Sequence, residues 1–389
     1  MKLLHTSDWH VGKTIRGRSR ADEHIAVLAE IAEIAKDESV DLVVVAGDLF
    51  ETATPTAESE QIVYKAMLDL AQTGAEVVVI AGNHDNARRL DAVTPVFGAV
   101  GSIHLATKAV RPDDGGVISI ETKSGETATI AVLPFVSKRG IVKAAELWDN
   151  EAFENSQKYT DRVTKMLALL TKGFDVNSVN IVVAHTFVHG RALGGGERQA
   201  HVVEEYAITS QSIPTTANYV ALGHVHKAQK VPAGSVTHYC GSPLQLDFGD
   251  SQSNKQVNLV ELRPGVPGAV TPRILKAGMR LRTIRGSLAE LRSEASSLAD
   301  VWLRVEIDEP NRAGLADEVR QLFGDRLVEV SFVGSAKPTV AKRSRRIGRS
   351  PNELFSEYLG ERNIDDQRIQ EAFDDLVEAD LAGEGKPAT

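Results

Sequence analysis

The chain has 389 residues, 42% hydrophobic and 25% charged, with a formal net charge of -9. These proportions suit two or three globular domains and exclude a chain that holds nucleic acid by bulk charge, so any phosphate contact must rest on local Lys and Arg clusters. A single cysteine, Cys240, excludes an intramolecular disulfide. No apolar run approaches a membrane span, and the N-terminus enters a strand at Lys2 without the features of a secretory signal, so a cytoplasmic location is expected.

In chain order, Lys2-Leu3-Leu4-His5-Thr6 reads as a buried strand ending in Ser7-Asp8-Trp9-His10. A basic loop follows, with Lys13, Arg16, Arg18 and Arg20, and then a helix with Ile25, Leu28, Ile31 and Ala35 at helical spacing. Leu42 to Val45 is a second apolar strand, ending in Gly47-Asp48. A helix opening near Pro55, with Ile62, Ala66 and Leu70 on one face, leads to the strand Val77 to Ile80 and then to Gly82-Asn83-His84-Asp85. This βαβ alternation predicts a mostly parallel sheet covered by helices.

Between Gly101 and Phe135 the pattern changes to short strands, of which Ile130 to Leu133 is a buried one. A helix-rich segment from Ile141 to Leu170 feeds the strand Ile181-Val182-Val183-Ala184-His185, and Tyr219 to Gly223 ends in His224-Val225-His226. Tyr239 to Pro243 and Gln256 to Val260 read as final strands, with a boundary near Pro264 to Pro272, where Pro and Gly cluster. A domain spanning 1–270 is therefore expected.

A smaller α+β domain over 275–335 reads strand, helix, strand, helix, strand, with Ser287 and Glu290 spaced as a capping box. Residues 336–350 form a basic linker with Lys342, Arg343, Arg345, Arg346 and Arg349. Ser350-Pro351-Asn352-Glu353 opens a pair of short amphipathic helices over 351–381, carrying Leu354, Phe355, Tyr358 and Leu359, then Ile369, Phe373, Leu376 and Val377. Such helices cannot bury both faces alone and call for a partner surface. Residues 382–389 are expected to be a disordered tail.

The chemistry lies in five apolar runs that each end in ligand-type side chains. Sites form beyond the carboxyl ends of strands in α/β sheets, so Asp8, His10, Asp48, Asn83, His185, His224 and His226 are expected to converge. Each alone has a plainer reading: Asp48 as a helix cap, Gly82-Asn83 as a turn, His10 or His185 as a satisfied polar residue. Jointly they supply donors for two divalent metals, with Asp48 as the bridging carboxylate. Two dications less two carboxylates leave about +2, which suits a phosphate substrate. Mixed nitrogen and oxygen ligation favours manganese, iron or zinc over calcium. His84 is not needed as a ligand and is left to face the substrate.

Asp8-x-His10, Gly47-Asp48, Gly82-Asn83-His84-Asp85, His185 and Gly223-His224-x-His226 together resemble the calcineurin-like metallophosphoesterase superfamily. Within it, Ala221 to Gln229 and Tyr239 to Pro243 are similar to the nuclease subunits of the bacterial SbcCD type. The resemblance implies a metallophosphoesterase β-sandwich with flanking helices, one manganese on Asp8, His10, Asp48 and His226, another on Asp48, Asn83, His185 and His224, and His84 as the catalytic residue. It also implies that 275–335 caps DNA and that Leu354, Phe355, Tyr358, Ile369 and Phe373 dock on an SMC-like, SbcC-type ATPase. Helices near Ala57 to Ala71 and Arg88 to Val100 would form a homodimer within a heterotetramer. Lys13, Arg16, Arg18, Arg88 and Arg89 are candidate DNA contacts, with loop solubility as the alternative. A manganese-dependent DNA nuclease of repair, recombination and replication, nucleoid-associated, is the function implied. A phosphatase or small-molecule phosphodiesterase, or a metal-free scaffold, are the competing readings.

Overall fold

The computed structural model describes residues 1–137, 159–194, 197, 206–250, 254–295, 298 and 300–333, and toward the C-terminus 354–356, 358–359, 362, 368–370, 372–373 and 376. The basic linker, the tail and the start of the segment from Ile141 lie outside these residues.

Two six-stranded sheets stack face to face. The first contains β1 (Lys2–Thr6), β2 (Leu42–Val45), β3 (Glu76–Ile80) and β4 (Ile103–Ala106) in parallel. The second contains β5 (Val117–Glu121), β6 (Thr127–Leu133), β7 (Val179–His185), β8 (Tyr219–Gly223), β9 (Gln229–Val231) and β10 (Thr237–Tyr239), in the order β9-β10-β8-β7-β6-β5. Its four inner strands are parallel and its edges antiparallel. Two long antiparallel strands, β11 (Gln256–Arg263) and β12 (Val266–Ile274), return to the first sheet beside β1.

The apolar runs are continuous because the inner strands are buried on both faces. Leu3, Val44, Val78 and Ile80 face Ile130, Val132, Ile181 and Val183 between the sheets. Leu4, Val43, Val45, Val77 and Val79 point the other way, onto α1 (Ala21–Asp37), α2 (Ala57–Gln72) and α3 (Ala87–Gly98). On the far side, Leu133, Val182 and Leu222 pack under Met166 and Leu170 of α4 (Tyr159–Leu170). Thr56 caps α2 by accepting from Ser59 N, and Asn86 caps α3 by accepting from Arg88 N and Arg89 N, which ends the Gly82–Asp85 loop.

The β-sandwich with flanking helices that the resemblance implies is formed, and the mostly parallel sheet of the first βαβ units is one of its two layers. Three expectations need correction. Ile25 is 50% exposed, and the buried face of α1 runs instead through His24, Val27, Leu28, Ile31 and Ala35. The Pro and Gly cluster from Pro264 to Pro272 is not a boundary, because Gly265 (φ +70) turns the hairpin between β11 and β12 and the sheet continues to Ile274. Likewise only Thr237–Tyr239 of the segment to Pro243 is strand.

His24 also carries a pH prediction. Its ring nitrogens lie 3.0 Å from Arg20 O and 3.1 Å from Trp9 O, and burial, followed by the Arg20 charge, lowers its pKa to about 4. The unfolded chain takes up this proton near 6.5 and the folded chain only near 4, so stability falls as pH drops through that window. The difference is worth roughly 3 kcal/mol. Metal-free protein is expected to melt several degrees lower at pH 4.5 than at pH 7, and His24→Gln to shrink that gap. An equal gap in the variant would remove His24 as a cause.

The smaller unit has the expected order. Parallel strands β13 (Arg280–Gly286), β14 (Val301–Ile307) and β15 (Leu327–Phe332) pack against α5 (Leu288–Glu294) and α6 (Leu315–Phe323). The capping box of Ser287 and Glu290 is formed. This unit meets the first through Ile15, Phe248 and Leu281, with Trp302 and Val328 packed on them. Trp302 Nε1 donates to Glu23 Oε1 at 2.9 Å, and Arg16 pairs with Glu329 at 3.0 Å. Glu23 is held in turn by Arg20, whose side chain is fully buried.

Candidate metal centre

The five ligand-bearing loops come from both sheets and meet at one end of the sandwich. Main-chain bonds zip the first two together, from Asp8 N to Gly47 O (2.9 Å), His10 N to Asp48 O (3.0 Å) and Val11 N to Leu49 O (3.0 Å). Asp8 Oδ1 accepts from His224 N across the two sheets at 2.9 Å, and Asp48 Oδ1 accepts from His84 N at 2.8 Å. Asp85 binds Gly82 N, Leu49 N and Phe50 N, tying the loop after β3 to the loop after β2.

Asp8 (φ 54), His10 (φ 48), Asp48 (φ 54) and His224 (φ 105) all sit at positive φ. Non-glycine residues enter this region at a cost, and such strain collects where surrounding structure holds a side chain for function.

All seven ligand-type residues converge, and all are buried. Asp8, His10, Asp48 and His226 form one group whose donor atoms lie within 4.8 Å of one another, and Asp48, His185 and His224 form a second. Asn83 completes the second, with Oδ1 2.9 Å from His185 Nε2 and 2.7 Å from His224 Nδ1. Asp48 belongs to both, its Oδ2 lying 3.6 Å from His10 Nε2 and 3.4 Å from His185 Nε2.

The donor chemistry fits a pair of cations. His185 Nδ1 lies 2.7 Å from Ala46 O, so one proton is committed there, and a ring that gives up its other proton turns a lone pair on Nε2 toward the oxygens of Asn83 and Asp48. On the other side, His10 Nε2 and His226 Nε2 stand 3.0 Å apart. Acceptors facing acceptors in a buried pocket call for positive charge between them. In the metal-free protein His185 supplies that charge itself: burial works against it, yet the Asp48 carboxylate outweighs burial and lifts the pKa to about 9, so the ring is charged at neutral pH. Burial likewise raises Asp48, but His185 and His84 hold it well below the usual carboxylate range.

His84 stands outside both groups, edge to face with His10 at 4.6 Å between ring centres, and its Nδ1 lies 2.7 Å from Glu51 O. A family model described as calcineurin-like phosphoesterase matches residues 1–228, more than half the chain and every one of these loops. The chain is a calcineurin-like phosphoesterase.

This phosphoesterase is similar to an SbcCD nuclease subunit of Bacillus subtilis strain 168, at 33% identity over 332 residues, covering 83% of this chain and 82% of that one. The Escherichia coli K12 protein of the same name is 26% identical over 412 residues and 99% of each chain. That of Rhodobacter capsulatus is 30% identical over 274 residues, covering 68% of this chain and 67% of that one.

The basic residues are less concentrated on the site than their sequence positions imply. Lys13 pairs with Glu51 at 2.7 Å, Arg16 with Glu329, and Arg89 with Glu60 at 2.6 Å. Arg18 bonds Asp325 O, with its guanidinium 5.5 Å from the Trp302 ring centre. Arg88 N binds the cap at Asn86.

Several residues of the phosphoesterase site were not singled out from sequence. Ser7 donates to Asp8 Oδ2 at 2.5 Å, and Cys240 Sγ lies 3.0 Å behind Ser7 Oγ. Glu197 accepts from His226 N at 3.1 Å. Glu51 lies 3.1 Å from His10 Nδ1, and although burial opposes its charge, His10 and Lys13 bring its pKa down to about 2. The one available signal was position, since Glu51 follows Asp48 by three residues and Ser7 precedes Asp8.

Proposed function

We propose that this phosphoesterase is a manganese-dependent DNA nuclease, exonucleolytic on duplex ends and endonucleolytic on hairpins and single strands, that works with an SbcC-type ATPase in DNA repair, recombination and replication. The observation that carries the reading is the pair of buried ligand groups sharing Asp48, in a chain similar over most of its length to proteins named as SbcCD nuclease subunits.

Asp8, His10, Asp48 and His226 would hold one cation and Asp48, Asn83, His185 and His224 the other. When bound, such a pair supplies a nucleophile from water at neutral pH and neutralises phosphoryl charge. Nitrogen and oxygen donors together suit manganese. His84 is the catalytic residue in this reading. Because the Glu51 carbonyl can only accept, His84 Nδ1 keeps its proton there, and Nε2 is the nitrogen that meets the substrate. There it stabilises phosphoryl charge or protonates the leaving oxygen.

DNA contact by Lys13, Arg16, Arg18 or Arg89 would exchange an existing intramolecular partner for a phosphate. The Arg16–Glu329 and Arg89–Glu60 pairs are the exposed ones, and such pairs are worth about 0 to 1 kcal/mol, so their exchange costs little. The unit from Arg280 to Phe332 is the DNA cap. Leu354, Phe355, Tyr358, Ile369 and Phe373 dock on the ATPase, a role supported by the Phe355 and Phe373 rings stacked at 3.8 Å beside an apolar groove of about 490 Å³. Exposed Leu68 on α2, and Val96 and Val100 on and just after α3, support homodimerisation within a heterotetramer. Among the described residues no helix is long and apolar enough to cross a membrane, which accords with a cytoplasmic, nucleoid-associated protein.

The test is cleavage of a hairpin-ended duplex by the purified chain with manganese, beside His84→Ala and an activated phosphate monoester. The unmodified chain is expected to cut the DNA. His84→Ala is expected to lose at least about a hundredfold while taking up the same two manganese ions by calorimetry. Hydrolysis of the monoester alone, unchanged by adding the ATPase, would overturn the DNA reading in favour of a phosphatase or small-molecule phosphodiesterase.

A further inference from the structure

Glu51 belongs to neither of the two groups that share Asp48, but its carboxylate lies within 4.8 Å of ring nitrogens of His10 and His84, and it touches these two histidines in two different ways. Its carboxylate Oε2 lies 3.1 Å from His10 Nδ1, while Oε1 pairs with Lys13 Nζ at 2.7 Å. Its main-chain carbonyl lies 2.7 Å from His84 Nδ1. Among the described residues the buried atoms His10 Nδ1 and Glu51 Oε2 make no aligned hydrogen bond, and the 3.1 Å contact pairs them with each other.

A neutral imidazole carries one N–H, and both a carboxylate and a carbonyl can only accept. In both rings the proton therefore belongs on Nδ1, toward Glu51. Nε2 is then the nitrogen each ring turns toward the centre, and for His10 it lies 3.6 Å from Asp48 Oδ2. A histidine ligand whose far nitrogen is fixed by a carboxylate is held in one tautomer and one orientation. Lys13 supplies the third point of contact and keeps the carboxylate from swinging away.

We propose that Glu51 is a positioning residue for both His10 and His84, fixing the first through its carboxylate and the second through its main chain. The inference rests on the two-cation reading of the site and is independent of DNA being the substrate. It also separates the two histidines under mutation. Substitution at Glu51 removes the carboxylate and keeps the carbonyl, so His10 is disturbed and His84 is spared.

The experiment uses the full chain with ¹⁵N-labelled histidine. In the metal-free wild type, ¹H–¹⁵N spectra should show His10 and His84 both protonated at Nδ1. Glu51→Ala should shift His10 to a mixture of tautomers or to the Nε2–H form and leave His84 unchanged. By calorimetry with manganese alone, it should weaken one of the two sites ten- to a hundredfold and spare the other. Glu51→Gln, which keeps an acceptor, should restore the His10 tautomer and most of the affinity. Glu51→Met keeps the side chain's length and gives the same reading should the alanine variant fail to fold. An unchanged His10 tautomer with both affinities within twofold would overturn the proposal. Failure of the wild type to bind manganese would instead strike the two-cation reading, and the tautomer spectra would still decide the part played by Glu51.

Discussion

Asp48→Asn is expected to lose the binding of both manganese ions and to lower hydrolysis about a thousandfold. Partners one layer behind a metal ligand typically cost 10- to 100-fold when removed, and Asp48 is a donor shared by both groups. Asparagine keeps the shape and the oxygen that accepts from His84 N, so the Gly82–Asp85 loop stays in place and only the charge is lost. The metal-free protein should nevertheless melt lower than the metal-free wild type, because His185 and His84 hold the Asp48 carboxylate well below the usual carboxylate range and the substitution removes that stabilisation. Calorimetric titration with manganese and thermal melts in chelator separate these effects. A variant that still took up two ions with wild-type affinity would show that the carboxylate is not the bridge.

The convergence of the seven ligand-type residues was legible in the sequence because each lies within a few residues of the end of an apolar run, and a doubly buried strand leaves nowhere else for such side chains to go. What sequence did not give was which sheet each run joins. Val44 and Val183 have the same character in the chain, yet they face one another from opposite layers. Periodicity also misplaced the inner face of α1. Ile25 fits the spacing, but His24 takes the inner position by reaching Trp9 O on the first ligand loop, a contact made by an apparently polar residue. The basic loop from Lys13 to Arg20 reads as a phosphate-facing patch, whereas its partners Glu329 and Trp302 lie some three hundred positions away and give no local sign. Glu51 was passed over for a related reason: a charged residue in a loop reads as solvated until the fold sets His10 beside it.

Gly223→Ala should be the most damaging small substitution. A Cβ at this position would lie 1.9 Å from Ala46 O and 2.9 Å from His185 Nδ1. Neither neighbour has room to yield. Ala46 directly follows β2 and its carbonyl is the one that fixes His185, while Gly223 is paired with His185 in the interior of the second sheet. The two sheets approach this closely only because one of them ends in hydrogen rather than methyl. An added methyl must separate them or displace the end of β8, and overpacking of this kind costs about 3 kcal/mol or more. Tm should fall by on the order of 10 °C. His224 follows directly at φ 105, so the group formed by Asp48, Asn83, His185 and His224 should lose its cation in whatever fraction remains folded. Gly173→Ala is the control, since nothing lies within 4 Å of its Cβ, and it should melt with the wild type. A Gly223→Ala protein that melted like the control and bound two ions would mean that the sheets do not meet at this point, and with them the shared placement of Asp48 and His185 would fall.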